Sequence, residues 1–120
     1  SHDGIIQNNK NIIDYCKSIQ SEFDYLIVSV IAPFQITREI AKKKFTKNYI
    51  EIYLETSIST LIKRDTKGLY KKAKSGEIKN LIGFNLSSPY EKPTKPSLVL
   101  STEIAKPEIS FKTLIKYIGI

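Results

Sequence analysis

Residues 24–31 read DYLIVSVI, a nearly unbroken apolar run rich in β-branched side chains. An amphipathic strand would alternate apolar and polar positions. A run without alternation predicts a strand buried on both faces, the kind found in parallel sheets covered by helices. Pro33 ends it, because proline cannot donate to a ladder. Together with the helices and strands that alternate with it along the chain, this segment points to an α/β architecture with crossover helices.

The flanking sequence agrees. Ile5, Ile12, Ile13, Cys16 and Ile19 recur at helical spacing, so residues 3–20 are expected to form an amphipathic helix. A second helix is expected over 35–47, with Ile36, Ile40 and Phe45 toward the core. YIEIYLE at 49–55 alternates as a strand, Ile50, Ile52 and Leu54 on one face and Tyr49, Glu51 and Tyr53 on the other. Ser57 is a suitable N-cap for a helix through Ile58, Leu61 and Ile62. A short helix follows over 68–75, with Gly76 as its C′ residue. SLVLS at 97–101 predicts a third strand. A last helix over 108–118 is expected to bury Ile109, Phe111, Leu114, Ile115 and Ile118. Ligands of such sheets bind beyond the carboxyl ends of the strands. Residues 31–34, 55–57 and 102–106 fall there, within reach of the basic stretch after residue 63.

Charge is unevenly placed. The 120 residues carry 19 basic and 12 acidic side chains, a net +7. Lys63, Arg64, Lys67, Lys71, Lys72, Lys74 and Lys79 stand against Asp65 and Glu77 only. Arg38, Lys42, Lys43, Lys44 and Lys47 form a second patch with Glu39 alone, read chiefly as the solvated, dipole-compensating end of a helix. Localised positive charge on a mildly acidic body implies an anionic partner. A nucleic-acid binder is the competing reading. Phe45, Tyr49 and Tyr53 speak against it, being placed as core or strand residues; only Tyr70 is interleaved with the lysines. No run approaches the ~20 apolar residues of a membrane helix, and the first ten residues have no signal-peptide pattern, so a cytoplasmic protein is expected. One cysteine, Cys16, excludes an internal disulfide. One histidine, His2, and one cysteine make a protein-built transition-metal site improbable. Glu51 and Glu55 share a strand face, and Glu55 is assigned a structural place at the ligand edge.

RDTKGLYKKAKSGEIKNLIG, residues 64–83, resembles the adenylylsulfate kinase family, which writes R-D-x-K-G-L-Y-K-K-A-R-x-G-E-I-K-x-F-T-G in this place. The similarity extends through IAPF at 31–34 with Arg38, YIEIYLET at 49–56, PYEKP at 89–93 and LVL at 98–100. Ser1, Asn8 and Lys10 fall on the family's F-S-x-x-D-R-x-x-N-x-R-R segment. The resemblance implies a P-loop-kinase-like parallel sheet flanked by helices, closed by a basic lid at about 64–93. It also implies transfer of the ATP γ-phosphate, with Mg²⁺, to the 3′-hydroxyl of adenosine 5′-phosphosulfate, the sulfate-assimilation step. By the same resemblance, Asn8, Ile31, Ala32, Arg38, Lys67, Asn80 and Leu81 would contact the nucleotide substrate. Arg64, Lys71, Lys72 and Ala105 would serve ATP. The partners implied are nucleotides, with neither nucleic acid nor membrane, and a homodimer is left open.

Four departures stand out. The family serine that follows the isoleucine is Ala32, so no catalytic residue is assigned there. The arginine of the D-R pair is Ile5, and the phenylalanine after the lid is Leu81, which removes an aromatic face. The 120 residues also contain no G-x-x-x-x-G-K-[ST]. These features predict the C-terminal portion of one adenylylsulfate-kinase-like domain, whose first strand and P-loop lie outside this sequence. A relative acting on another nucleotide-linked acceptor, and a non-catalytic nucleotide-binding or polyanion-binding remnant, are the alternatives.

Overall fold

Helix α1 (His2–Ile19) starts where Ser1 accepts a hydrogen bond from the Gly4 amide, and Asp3 complements the dipole of its first turn. Its apolar stripe packs against helix α2 (Gln35–Phe45), with Ile13 and Asn9 buried. The start of α2 has no cap from its own sequence. Glu91 supplies it, its carboxylate accepting from the Gln35 amide at 2.6 Å. The computed structural model describes residues 1–120 and resolves them into two units, Ser1–Tyr49 with Tyr90–Lys92 and Ile50–Pro89 with Pro93–Ile120. Both helices belong to the first unit.

Two expectations fail in this first unit. Ile36 is 53 % exposed, and the buried face of α2 is Thr37, Arg38 and Ala41 instead. The reason is polar: carbonyls of residues 31–34 lie beside α2 and need donors, which Thr37 and Arg38 provide and isoleucine cannot. The run at 24–31 is neither strand nor helix. Ile27 is 91 % exposed and Ile31 62 %, and only Leu26 is half-buried. Strand propensity is realised through a ladder partner and packed faces, and none of the 120 residues pairs with this segment.

The second unit is a parallel pair flanked by helices. Strand β1 (Ile52–Glu55) runs beside strand β2 (Leu98–Ser101) in the register Ile52–Leu98 through Glu55–Ser101. Ser97 extends the pairing: its hydroxyl accepts from the Glu51 amide at 3.0 Å and its amide donates to the Glu51 carbonyl at 2.8 Å. Between the strands come helix α3 (Ile58–Arg64) and helix α4 (Leu69–Lys74); helix α5 (Pro107–Ile118) follows β2 and packs on it. Leu100 is buried, but Leu54 is exposed. In α5 Leu114, Ile115 and Ile118 are half-buried, while Ile109 and Phe111 remain exposed against expectation. A two-stranded ribbon is narrower than the apolar stripe the helix presents. The architecture is α/β with a parallel sheet, as the sequence implies, built here from two strands rather than three.

Candidate nucleotide site

The carboxyl ends of β1 and β2 are stitched together. The Thr102 amide donates to the Glu55 carbonyl at 2.9 Å, carrying the ladder one residue past β2, and the Thr56 and Thr102 hydroxyls hydrogen-bond each other. Ser57 then caps α3, accepting from the Thr60 amide at 3.2 Å. Glu103 reaches the same turn. One carboxylate oxygen accepts from the Ser57 amide at 2.8 Å, the other from the Ser57 hydroxyl at 2.8 Å and from the Thr60 hydroxyl. Hydrogen bonds from Thr60 and then from the Ser57 amide and hydroxyl hold this carboxyl below its ordinary range, with the Arg64 charge adding to the effect. At the other end of α3 the Arg64 guanidinium donates to the Thr102 and Glu103 carbonyls at 2.7 and 3.2 Å.

The R-D-x-K-G-L-Y motif is a tight helix-to-helix turn. Asp65 takes φ +23°, and its amide closes α3 on the Leu61 carbonyl at 2.9 Å. Its two carboxylate oxygens accept from the Tyr70 and Lys71 amides, both at 3.0 Å, so Asp65 ends one helix and caps the next. Gly68 sits at φ +66°, a left-handed conformation that a side chain would strain. Arg64, Lys67, Leu61, Thr66, Leu69 and Tyr70 line a pocket of about 220 Å³ around this turn. Burial, and then the negative Asp65 beside it, push the Tyr70 hydroxyl pKa up. Tyr70 also meets the Phe84 ring edge-on at 5.7 Å, which ties α4 to the turn-rich segment after it. In that segment Leu81 donates its amide to the Asn85 side chain at 2.8 Å, and Gly83 donates to the Ser88 carbonyl at 2.8 Å.

In the first unit the loop at 31–34 is held by buried polar groups. Arg38, only 6 % exposed, donates to the Ala32 carbonyl, to Gln35 Oε1 at 2.7 Å and to the Glu91 carbonyl at 2.6 Å. The Tyr90 ring lies 5.8 Å from its guanidinium carbon. Asn9 donates to the Ile31 carbonyl at 3.5 Å, while its own oxygen lies 3.2 Å from the Thr37 hydroxyl. Glu91 completes the clasp, its amide donating to the Pro33 carbonyl at 2.7 Å.

The residues named from the sequence therefore fall into two groups. Ile31, Ala32 and Arg38 meet in the first unit, and Asn8 sits on the exposed side of α1 there. Arg64 and Lys67 share the pocket in the second. Lys71 and Lys72 are exposed, and Lys72 pairs with Glu77 at 3.3 Å. Asn80 is exposed, Leu81 and Ala105 half-buried. Asn9, Thr37, Asp65, Glu91 and Glu103 escape sequence reasoning. Asp65 had a local signal, an aspartate just ahead of a short helix. Asn9, Glu91 and Glu103 had none, because their partners lie 22 or more residues away, and Thr37 combines a local bond to the Phe34 carbonyl with a distant one to Asn9.

No three His, Cys, Asp or Glu side chains converge in a group that could hold a metal ion. No helix is long and apolar enough to cross a membrane.

Comparison with known proteins agrees on one family. The adenylylsulphate kinase family model matches residues 1–101. The adenylyl-sulfate kinase of Clostridium acetobutylicum is 36% identical over 112 residues, covering 93% of this chain and 55% of that protein. That of Pseudomonas aeruginosa is 32% identical over 113 residues, covering 93% of this chain and 57% of that protein. The chain thus spans little more than half the length of these relatives. The structure of the Mycobacterium tuberculosis APS kinase in complex with AMPPNP and APS superposes with a TM-score of 0.86 at 25% identity, covering 100% of this chain and 69% of that one. The R-D-x-K-G-L-Y-K-K-A stretch is built as the turn described, and the family model covers residues 1–101: this chain belongs to the adenylylsulphate kinase family.

Proposed function

We propose that the protein works as an ATP-dependent adenylylsulfate kinase, transferring the γ-phosphoryl group of ATP to the 3′-hydroxyl of adenosine 5′-phosphosulfate and releasing ADP. The observation that carries this reading is the Asp65 turn, which sets Arg64 and Lys67 on one pocket. Phosphoryl transfer asks a protein mainly for positioning and charge neutralisation. A rigid turn that presents two cations suits that task. Lys71 adds charge on the exposed side of α4, whereas Lys72 is partly neutralised by Glu77. The relatives' names, and the AMPPNP and APS bound by the mycobacterial kinase, support nucleotides as the substrates. Mg²⁺ would travel with the ATP phosphates and share in neutralising them.

The same reading places Asn80, Leu81 and the loop at 31–32 near the acceptor nucleotide, and Ala105 near the adenine of ATP. Asn8 would lie beside the acceptor too. Arg38 acts on that loop from behind, through the Ala32 carbonyl. Sulfate assimilation, a cytoplasmic location and a homodimer complete the proposal, with residues 1–120 as one part of a single kinase domain. Ile5, Ala32 and Leu81 favour a second reading, a kinase relative with another nucleotide-linked acceptor.

The test is turnover and thermal shift of the full-length protein with ATP, ADP and adenosine phosphosulfate. Lys67→Ala should raise the KM for the acceptor roughly tenfold or more, the loss of one charge-assisted contact, while the melting temperature holds. A wild-type protein that neither turns over nor is stabilised by any adenine nucleotide would sink the kinase reading.

A further inference from the structure

We infer that Glu103 is a positioning residue for Arg64. The Arg64 guanidinium does not meet a carboxylate; it donates to the main-chain carbonyls of Thr102 and Glu103 at 2.7 and 3.2 Å. Arginine on an exposed helix end has many rotamers, and its direction is only as definite as those two carbonyls. They belong to a short turn just past β2, tied to the end of β1 at Thr102.

Glu103 supplies the hold. Its carboxylate collects three donors from the first turn of α3, the Ser57 amide, the Ser57 hydroxyl and the Thr60 hydroxyl. The helix that carries Arg64 at its C-terminal end is thereby clipped, at its N-terminal end, to the turn whose carbonyls Arg64 uses. Glu103 and Arg64 close a loop around α3: side chain of one to the start of the helix, side chain of the other back to the main chain of the first. Thr102 braces the same turn from the sheet side through the Glu55 carbonyl. Such a closed arrangement fixes the guanidinium plane at the edge of the Lys67 pocket, and a network of this kind rigidifies more than its separate bonds would.

That Glu103 thereby tunes ATP binding rests on the proposed kinase reading, whereas the hold on Arg64 does not. The experiment reads both in the full-length protein. Glu103→Ala should raise the KM for ATP about fivefold, the equivalent of one ordinary hydrogen bond, with kcat and the KM of the acceptor within about twofold. Glu103→Gln, which keeps the shape and one good acceptor, should recover part of the loss. In parallel, NMR of the arginine side chains should show slow guanidinium rotation for Arg64 in the wild type and fast rotation in Glu103→Ala. Unchanged rotation in Glu103→Ala would overturn the positioning role. So would a variant in which kcat, both KM values and the melting temperature all deteriorate together, since that marks a purely structural loss. A wild type without turnover but with a slow Arg64 that Glu103→Ala frees would support the positioning role and refute the kinase reading.

Discussion

Two loops in this protein each depend on a charged side chain, and the two side chains stand in opposite surroundings. The loop at 31–34 is gripped by Arg38, which is 6 % exposed and donates to neutral oxygens at Ala32, Gln35 and Glu91. The turn after β2 is gripped by Glu103, which lies at the surface and accepts from Ser57 and Thr60. A buried cation cannot be replaced by water when it is removed, so the carbonyls it served are left without donors. An exposed carboxylate can be replaced by solvent, and its worth lies in direction rather than in stability. The first clasp is therefore a piece of the scaffold, and the second a piece of alignment.

The contrast is broken most directly by deleting the buried member. Arg38→Ala should destabilise the first unit by about 3 kcal/mol, the range for removing one partner from a buried charged network; chemical denaturation checks this. A loss below about 1 kcal/mol would place Arg38 among the solvated cations after all. Asp65→Ala should come next, at about 1 kcal/mol, because two amides of α4 lose their acceptor. Circular dichroism with amide exchange at Tyr70 and Lys71 would show whether α4 frays, and unaltered protection there would refute the capping role. The smallest effect belongs to Glu103. Its folded-state carboxyl is lowered from an ordinary value of 4.5, so the unfolded chain takes up the proton first as pH falls. Its stabilising contribution is complete above about pH 4.5 and is lost as pH falls through the lower folded-state value. Glu103→Gln should flatten that acid limb and lower stability at pH 7 by the same small amount; an unchanged acid limb would show that the carboxylate is not held as described.

How far each clasp was legible follows from the same contrast. Residues 64–76 could be read locally, since Asp65, Gly68 and Gly76 act on amides and dihedrals within a few positions of themselves. Ser57 as a cap and Gly76 as a C′ residue were visible for that reason. Asn9, Thr37 and Glu91 were not visible, because nothing in their neighbourhood says that a carbonyl from residue 31 or an amide from residue 35 will arrive beside them. The α2 face was misread on the same account: its isoleucines carried the periodic signal, but the unpaired carbonyls beside it selected Thr37 and Arg38 for burial.

The run at 24–31 marks the boundary most clearly. Its composition predicts a doubly buried strand, and side-chain chemistry alone supports that expectation. Residues 52–55 and 98–101 are apolar-rich too and do form strands, because each finds the other's ladder in register. Residues 24–31 find none among these 120 residues, and all but Leu26 stay exposed, Ile27 almost fully. By itself the sequence determined the helices, the Ser57 cap, the Gly76 stop and the family, all of which rest on patterns along the chain. The tertiary structure alone decided which apolar run became a strand, which face of α2 was buried and which acid aligned Arg64. Those outcomes depend on hydrogen-bond partners brought from distant positions, and a linear pattern carries no record of where they meet.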